Sequence, residues 1–246
     1  MRTRTVDITT HDGTADAFVA FPDDGGQHPG VLLYMDALGL RPVIHALAEQ
    51  LAAEGYYVLA PNAFYRRGRA PLFEVPDLSS PELRGAFFEH LAPMMQELTP
   101  ERVQSDANAY LDFLTAQPEV RPGPVGVVGY CMGAVLAVRT AASRPDDVAA
   151  VAGFHPGRLA TEKPDSAHLL APLLRAELLF GLAEGDEPMP EFDKAVDAAG
   201  VRCTSEVYPG TVHGFTMSDT AAFSPSGLQL HWDRLLPFFA RTLRAE

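Results

Sequence analysis

The chain has 246 residues, 47% of them hydrophobic and 21% charged, an ordinary globular composition that excludes a disordered, collagen-like or coiled-coil chain. Its net charge of −13 argues against nucleic acid or an anionic membrane as partner and mainly predicts solubility. Two cysteines, Cys131 and Cys203, cannot build a disulfide framework. No apolar run follows the basic start Met1-Arg2-Thr3-Arg4, and no apolar stretch is long enough to span a bilayer, so the expected setting is reduced and cytoplasmic.

The length suits one domain over residues 1–246. Residues 5–10 and 15–21 alternate in polarity around His11-Asp12-Gly13, the pattern of an antiparallel hairpin. The continuous apolar run 30–35 predicts a central strand. Residues 43–54 have helical spacing, closed by Gly55, and 56–60 form the next strand. From 62 to 100 the pattern loosens, with five prolines, an arginine cluster at 66, 67 and 69, and a possible helix over 81–97. A long insertion after a strand end suits a pocket wall. A stronger helix over 100–117 begins at Thr99-Pro100. Strands are then expected at 125–129, 148–154, 176–181 and 203–208, and helices at 131–143, 190–200 and 226–244. Short apolar runs alternating with helical segments are the signature of a mostly parallel sheet, here of about eight strands.

The informative segment is Gly129-Tyr130-Cys131-Met132-Gly133, a G-x-C-x-G placed between a strand and a helix. Such a sharp turn strains its middle residue and projects that side chain clear of the sheet, and the two glycines leave room for strand and helix to approach. The helix N-terminus favours an anion, hence a thiolate, at Cys131. Cys203 lies inside a strand with no flanking turn and reads as packing.

A thiol nucleophile needs a base, and the base an orienting acid. In this chain order the acid and the histidine follow on loops after later strands. Gly185-Asp186 follows the strand ending near Gly181, with Glu184 and Glu187 as alternatives, and His213 follows the last strand. His155, at the end of an earlier strand, is the competing histidine and is expected instead to line the pocket. The elbow rule points to the Met132 N–H as one oxyanion donor, and the loop after the third strand points to Ala37 as the other. Asp36 either accepts a hydrogen bond from the Cys131 thiol or merely orders its loop.

Together these residues resemble the dienelactone hydrolase family of α/β-hydrolases, most specifically at Gly129–Gly133, at Gly185-Asp186 and at His213-Gly214-Phe215. The resemblance implies an α/β-hydrolase fold and a Cys-His-Asp triad of Cys131, His213 and Asp186. It also implies hydrolysis of a small ester or lactone without a cofactor; no metal is expected, and the chain is expected to act as a monomer or small homo-oligomer. It assigns thiol gating to the residue at Asp36, where the family usually has glutamate. The type enzyme has an arginine shortly after the histidine that binds a substrate carboxylate. Here Gly214-Phe215-Thr216-Met217-Ser218 has none, so Arg66, Arg67, Arg69 or Arg84 is expected to substitute, Arg66 and Arg84 foremost, with His155 and Phe215 also against the substrate. The alternative is a solvated arginine face, and for the whole chain a catalytically weak binding or thiol-sensor protein.

Overall fold

The computed structural model describes residues 1–244. Strands β1 (Arg2–Thr10) and β2 (Gly13–Phe21) form the hairpin, with Gly13 at φ 142° in the turn. Then come β3 (Gly30–Tyr34), α1 (Pro42–Ala53), β4 (Tyr57–Pro61), α2 (Pro81–Gln96) and α3 (Pro100–Thr115). The second half runs β5 (Val125–Tyr130), α4 (Met132–Ser143), β6 (Val148–Phe154), β7 (Glu177–Ala183), α5 (Pro190–Ala198), β8 (Cys203–Tyr208) and α6 (Pro225–Leu243). A 3₁₀ turn over Ala167–Leu173 was not expected; it holds Pro172 and is too short to show a helical period. Thr99 and Ser224 cap α3 and α6 by accepting the Arg102 and Gly227 amides, satisfying otherwise orphaned donors.

The eight strands form one sheet in the order β1-β2-β4-β3-β5-β6-β7-β8. Pairing is antiparallel at β1–β2 and β2–β4 and parallel elsewhere. β3, β4 and β5 are buried along their whole length, as strands covered on both faces must be. Alternate residues of β5 meet different layers: Gly126 lies under Phe239 and Leu243 of α6, while Val125 crowds Gly30 beside Leu114 of α3. The chain steps from β3 outward to β4 and returns to β5 on the other side. Such a reversal opens a crevice beyond the carboxyl ends of the two strands.

Candidate functional site

Strand register sets the site. Tyr34 pairs with Gly129, Tyr130 with Phe154, Phe154 with Gly181, and Ala183 with Tyr208. The segments that begin at Met35, Cys131, His155, Glu184 and Pro209 therefore leave the sheet along one edge.

Cys131 is the apex of the turn between β5 and α4, at φ 53° and ψ −115°. That conformation costs a non-glycine residue about 1–3 kcal/mol. It is held by its neighbours: the Cys131 amide donates to the Phe154 carbonyl at 3.1 Å, and its carbonyl accepts from Gly157 at 2.9 Å. The flanking glycines are sterically required. A Cβ on Gly129 would stand 2.0 Å from the Gly133 carbonyl oxygen, and one on Gly133 would stand 2.5 Å from that of Met35. The second contact also shows how closely the loop after β3 approaches the start of α4. At that junction neither the Met132 nor the Ala37 amide is used in a backbone hydrogen bond among the described residues.

Two loops from distant parts of the chain meet the sulfur. His213 Nε2 lies 3.1 Å from Cys131 Sγ, and His213 Nδ1 lies 2.7 Å from Asp186 Oδ1. The partners imply Nδ1–H toward the carboxylate and Nε2 toward the thiol. Asp186 Oδ2 accepts the Ala183 amide at 2.8 Å, which fixes the carboxylate. Burial works against a charged His213, but its hydrogen bonds to the Asp186 carboxylate and with Cys131 outweigh it and push the imidazole up to about 10. The alternative acids are engaged elsewhere. Glu184 accepts the Gly210 amide at 2.7 Å, tying the acid loop to the histidine loop, and Glu187 pairs with Arg158.

His155 is fully buried, with φ 37°. Its Nε2 is 2.7 Å from Thr216 Oγ1, its Nδ1 has no partner, and its ring stands edge-on to His213 with centroids 5.2 Å apart. Burial, with His213 and His231 nearby, holds it well below the usual histidine range. His231 of α6, inside the helix expected at 226–244, is fully buried and bonded to the Tyr130 hydroxyl at 3.1 Å.

Three expectations need correction. Asp36 is not on the thiol: both its oxygens are taken by Arg41, at 2.5 and 3.1 Å, and Oδ1 also accepts the Leu38 amide. Burial pushes this carboxyl up against the pull of Arg41. Arg66 is not at the cavity. Its guanidinium binds Asp106 and Asp12 and lies over the Tyr65 ring, since α3 and the β1–β2 turn supply the nearest carboxylates. Phe215 is fully buried against His155 and Tyr208, behind the cavity wall. Arg84, by contrast, does line the cavity.

That cavity measures about 570 Å³ and opens onto Cys131, His213 and His155. Its walls are mainly apolar, including Ala37, Leu38, Val212 and Met217. Leu78, Ser79, Arg84 and Phe88 come to it from the 62–100 segment. Arg84 is the one arginine or lysine on the lining, and its guanidinium has no hydrogen-bond or ion-pair partner among the described residues. No group of three or more His, Cys, Asp or Glu side chains there is arranged to hold a metal ion. No helix among them is long and apolar enough to cross a membrane.

Comparison with known proteins gives a consistent picture. The profile of the family described as "Dienelactone hydrolase family" matches residues 15–243. A provisionally named carboxymethylenebutenolidase of Methylorubrum extorquens is 27% identical over 95% of this chain and 79% of its own. One of the same name from Synechocystis is 26% identical over 99% and 98%. A crystal structure of a provisionally assigned dienelactone hydrolase from Klebsiella pneumoniae superposes with a TM-score of 0.83 at 21% identity, covering 98% of both chains. The last comparison speaks to the fold.

Proposed function

We propose that this chain, which belongs to the dienelactone hydrolase family and is a hydrolase of ester or lactone bonds, works through a thioester formed on Cys131. The observation that carries this reading is the continuous contact Asp186–His213–Cys131, at 2.7 and 3.1 Å, at the mouth of a mainly apolar cavity. His213 takes the thiol proton, and Cys131 Sγ attacks the carbonyl carbon. In this reading the Met132 and Ala37 amides hold the new oxyanion. The C–O bond breaks, and His213 returns its proton to the departing oxygen, which in a lactone stays tethered as the far end of the acyl chain. Water then gives a proton to His213 and its oxygen to the carbonyl, expelling the thiolate. Asp186 keeps Nδ1–H in place throughout.

Thiolate leaves readily, so activated esters and strained lactones suit this nucleophile better than amides. Arg84, the unpaired cation on the wall, supports a small substrate that carries a carboxylate at its far end. Cys131→Ala should abolish turnover of every ester that the wild type cleaves, while retained turnover would refute the thioester reading.

A further inference from the structure

We propose that Arg41 is a positioning residue for the oxyanion side of this site: its guanidinium spans Asp36 and Asp219 and so fastens the loop carrying the Ala37 N–H to the loop that follows His213. The inference rests on the Cys131 reading above and adds to it the device that shapes the oxyanion hole.

Arginine has five N–H donors in a rigid fork, and Arg41 uses all five. Nη1 donates to Asp36 Oδ1 at 2.5 Å and to the Gly39 carbonyl at 3.1 Å. Nη2 donates to Asp36 Oδ2 at 3.1 Å and to Asp219 Oδ1 at 3.2 Å, and Nε to Asp219 Oδ2 at 2.7 Å. The side chain is only 5% exposed. Its backbone is fixed as well, because the Arg41 carbonyl accepts the Ile44 and His45 amides at the start of α1.

The consequence falls on Ala37. Asp36 Oδ1 accepts the Leu38 amide at 3.0 Å and the Asp36 carbonyl accepts the Gly39 amide at 3.2 Å. Residues 36–39 are thus pinned on either side of the Ala37 N–H, and Arg41 holds the carboxylate that does the pinning. At its other end Arg41 grips Asp219, inside the turns closed by the Met217 amide on Gly214 and the Thr220 amide on Met217. Met217 and Thr220 face the same cavity. With two carboxylates on one guanidinium, Arg41 has no donor left for a substrate, and both Asp36 oxygens are engaged by it. A lysine, with three donors on a point charge, cannot bridge both carboxylates this way.

The test separates reactions that need an oxyanion hole from one that does not. Acylation by p-nitrophenyl acetate develops an oxyanion, whereas alkylation of Cys131 by iodoacetamide uses the same sulfur without one. The variants are Arg41→Lys and the double variant Asp36→Asn/Arg41→Met, which leaves no buried charge unpaired and so protects folding. In both, the acylation burst should slow by about 10- to 100-fold, with the ester concentration that half-saturates the burst rate and the alkylation rate changed by less than about twofold. An unchanged burst in either folded variant overturns the proposal. So does a burst and an alkylation rate that fall together, since the loss then lies in the thiol–imidazole pair. Failure of the underlying reading looks different: Cys131→Ala would keep its turnover.

Discussion

Two loops leave the same sheet edge with a histidine each, and the chain treats the two rings in opposite ways. After β8, His213 stands between a carboxylate and a thiol and is pushed up to about 10. After β6, His155 has a hydroxyl on one nitrogen and nothing on the other, and burial pushes it well below its usual range. Their centroids are 5.2 Å apart. Proton affinity is therefore set by what each nitrogen touches, and only the ring in contact with both an acid and the sulfur can carry a proton to and fro.

The comparison breaks most visibly if each ring is replaced in turn. His213→Gln should lower kcat/KM on an activated ester by about 10⁴-fold, the scale of losing a member of such a triad. Iodoacetamide alkylation in that variant should be slow at neutral pH and recover as pH rises. Next in size is Arg84→Ala. It should raise KM about tenfold for esters bearing a carboxylate, the worth of one charge-assisted hydrogen bond, and leave neutral esters unchanged. His155→Asn, which tolerates the positive φ, should cost only about a few-fold in kcat, since a buried side chain off the proton path acts by packing.

The smallest effect is on stability, and its sign differs between the rings. His213 binds its proton more tightly folded than unfolded. Its contribution is complete below pH 6.5 and is lost as pH rises toward about 10. His155 and His231 refuse protons that the unfolded chain takes up near pH 6.5, and burial brings His231 down to about 3. Each therefore removes stability as pH falls below 6.5, by about 1.4 kcal/mol per pH unit. Thermal melts of His231→Gln should show a shallower loss on acidification than the wild type, and an equal slope would contradict the assignment of a neutral buried ring.

What was legible in the sequence follows from the range of the interactions. The elbow is local: Gly129, Cys131 and Gly133 lie within five residues, and their spacing alone implies the close approach seen at the Gly133 carbonyl. The meeting of Asp186 and His213 with Cys131 was readable from chain order, because parallel strands deliver their carboxyl ends to one edge. The sheet itself was legible for the same reason, strand by strand.

The side-chain pairings were not. Whether Asp36 faces a thiol or a guanidinium depends on Asp219, 178 residues beyond Arg41, and no periodicity encodes that meeting. Arg66 looked free because Asp12 and Asp106 reach it from the hairpin turn and from α3. Phe215 follows His213 by two residues, yet the turn at Gly214, with φ 93°, sends it into the core rather than the cavity. His231 carried no motif at all, and its place under Tyr130 depends on how α6 docks.

The central claim is covalent chemistry at one sulfur, and intact-mass measurement during turnover of an activated ester tests it directly. The account predicts a transient species heavier by one acyl group, localised to the peptide containing Cys131, labile to hydroxylamine and absent from Cys131→Ala. Turnover without any such adduct under conditions where acylation outruns hydrolysis, or an adduct confined to another residue, would contradict it.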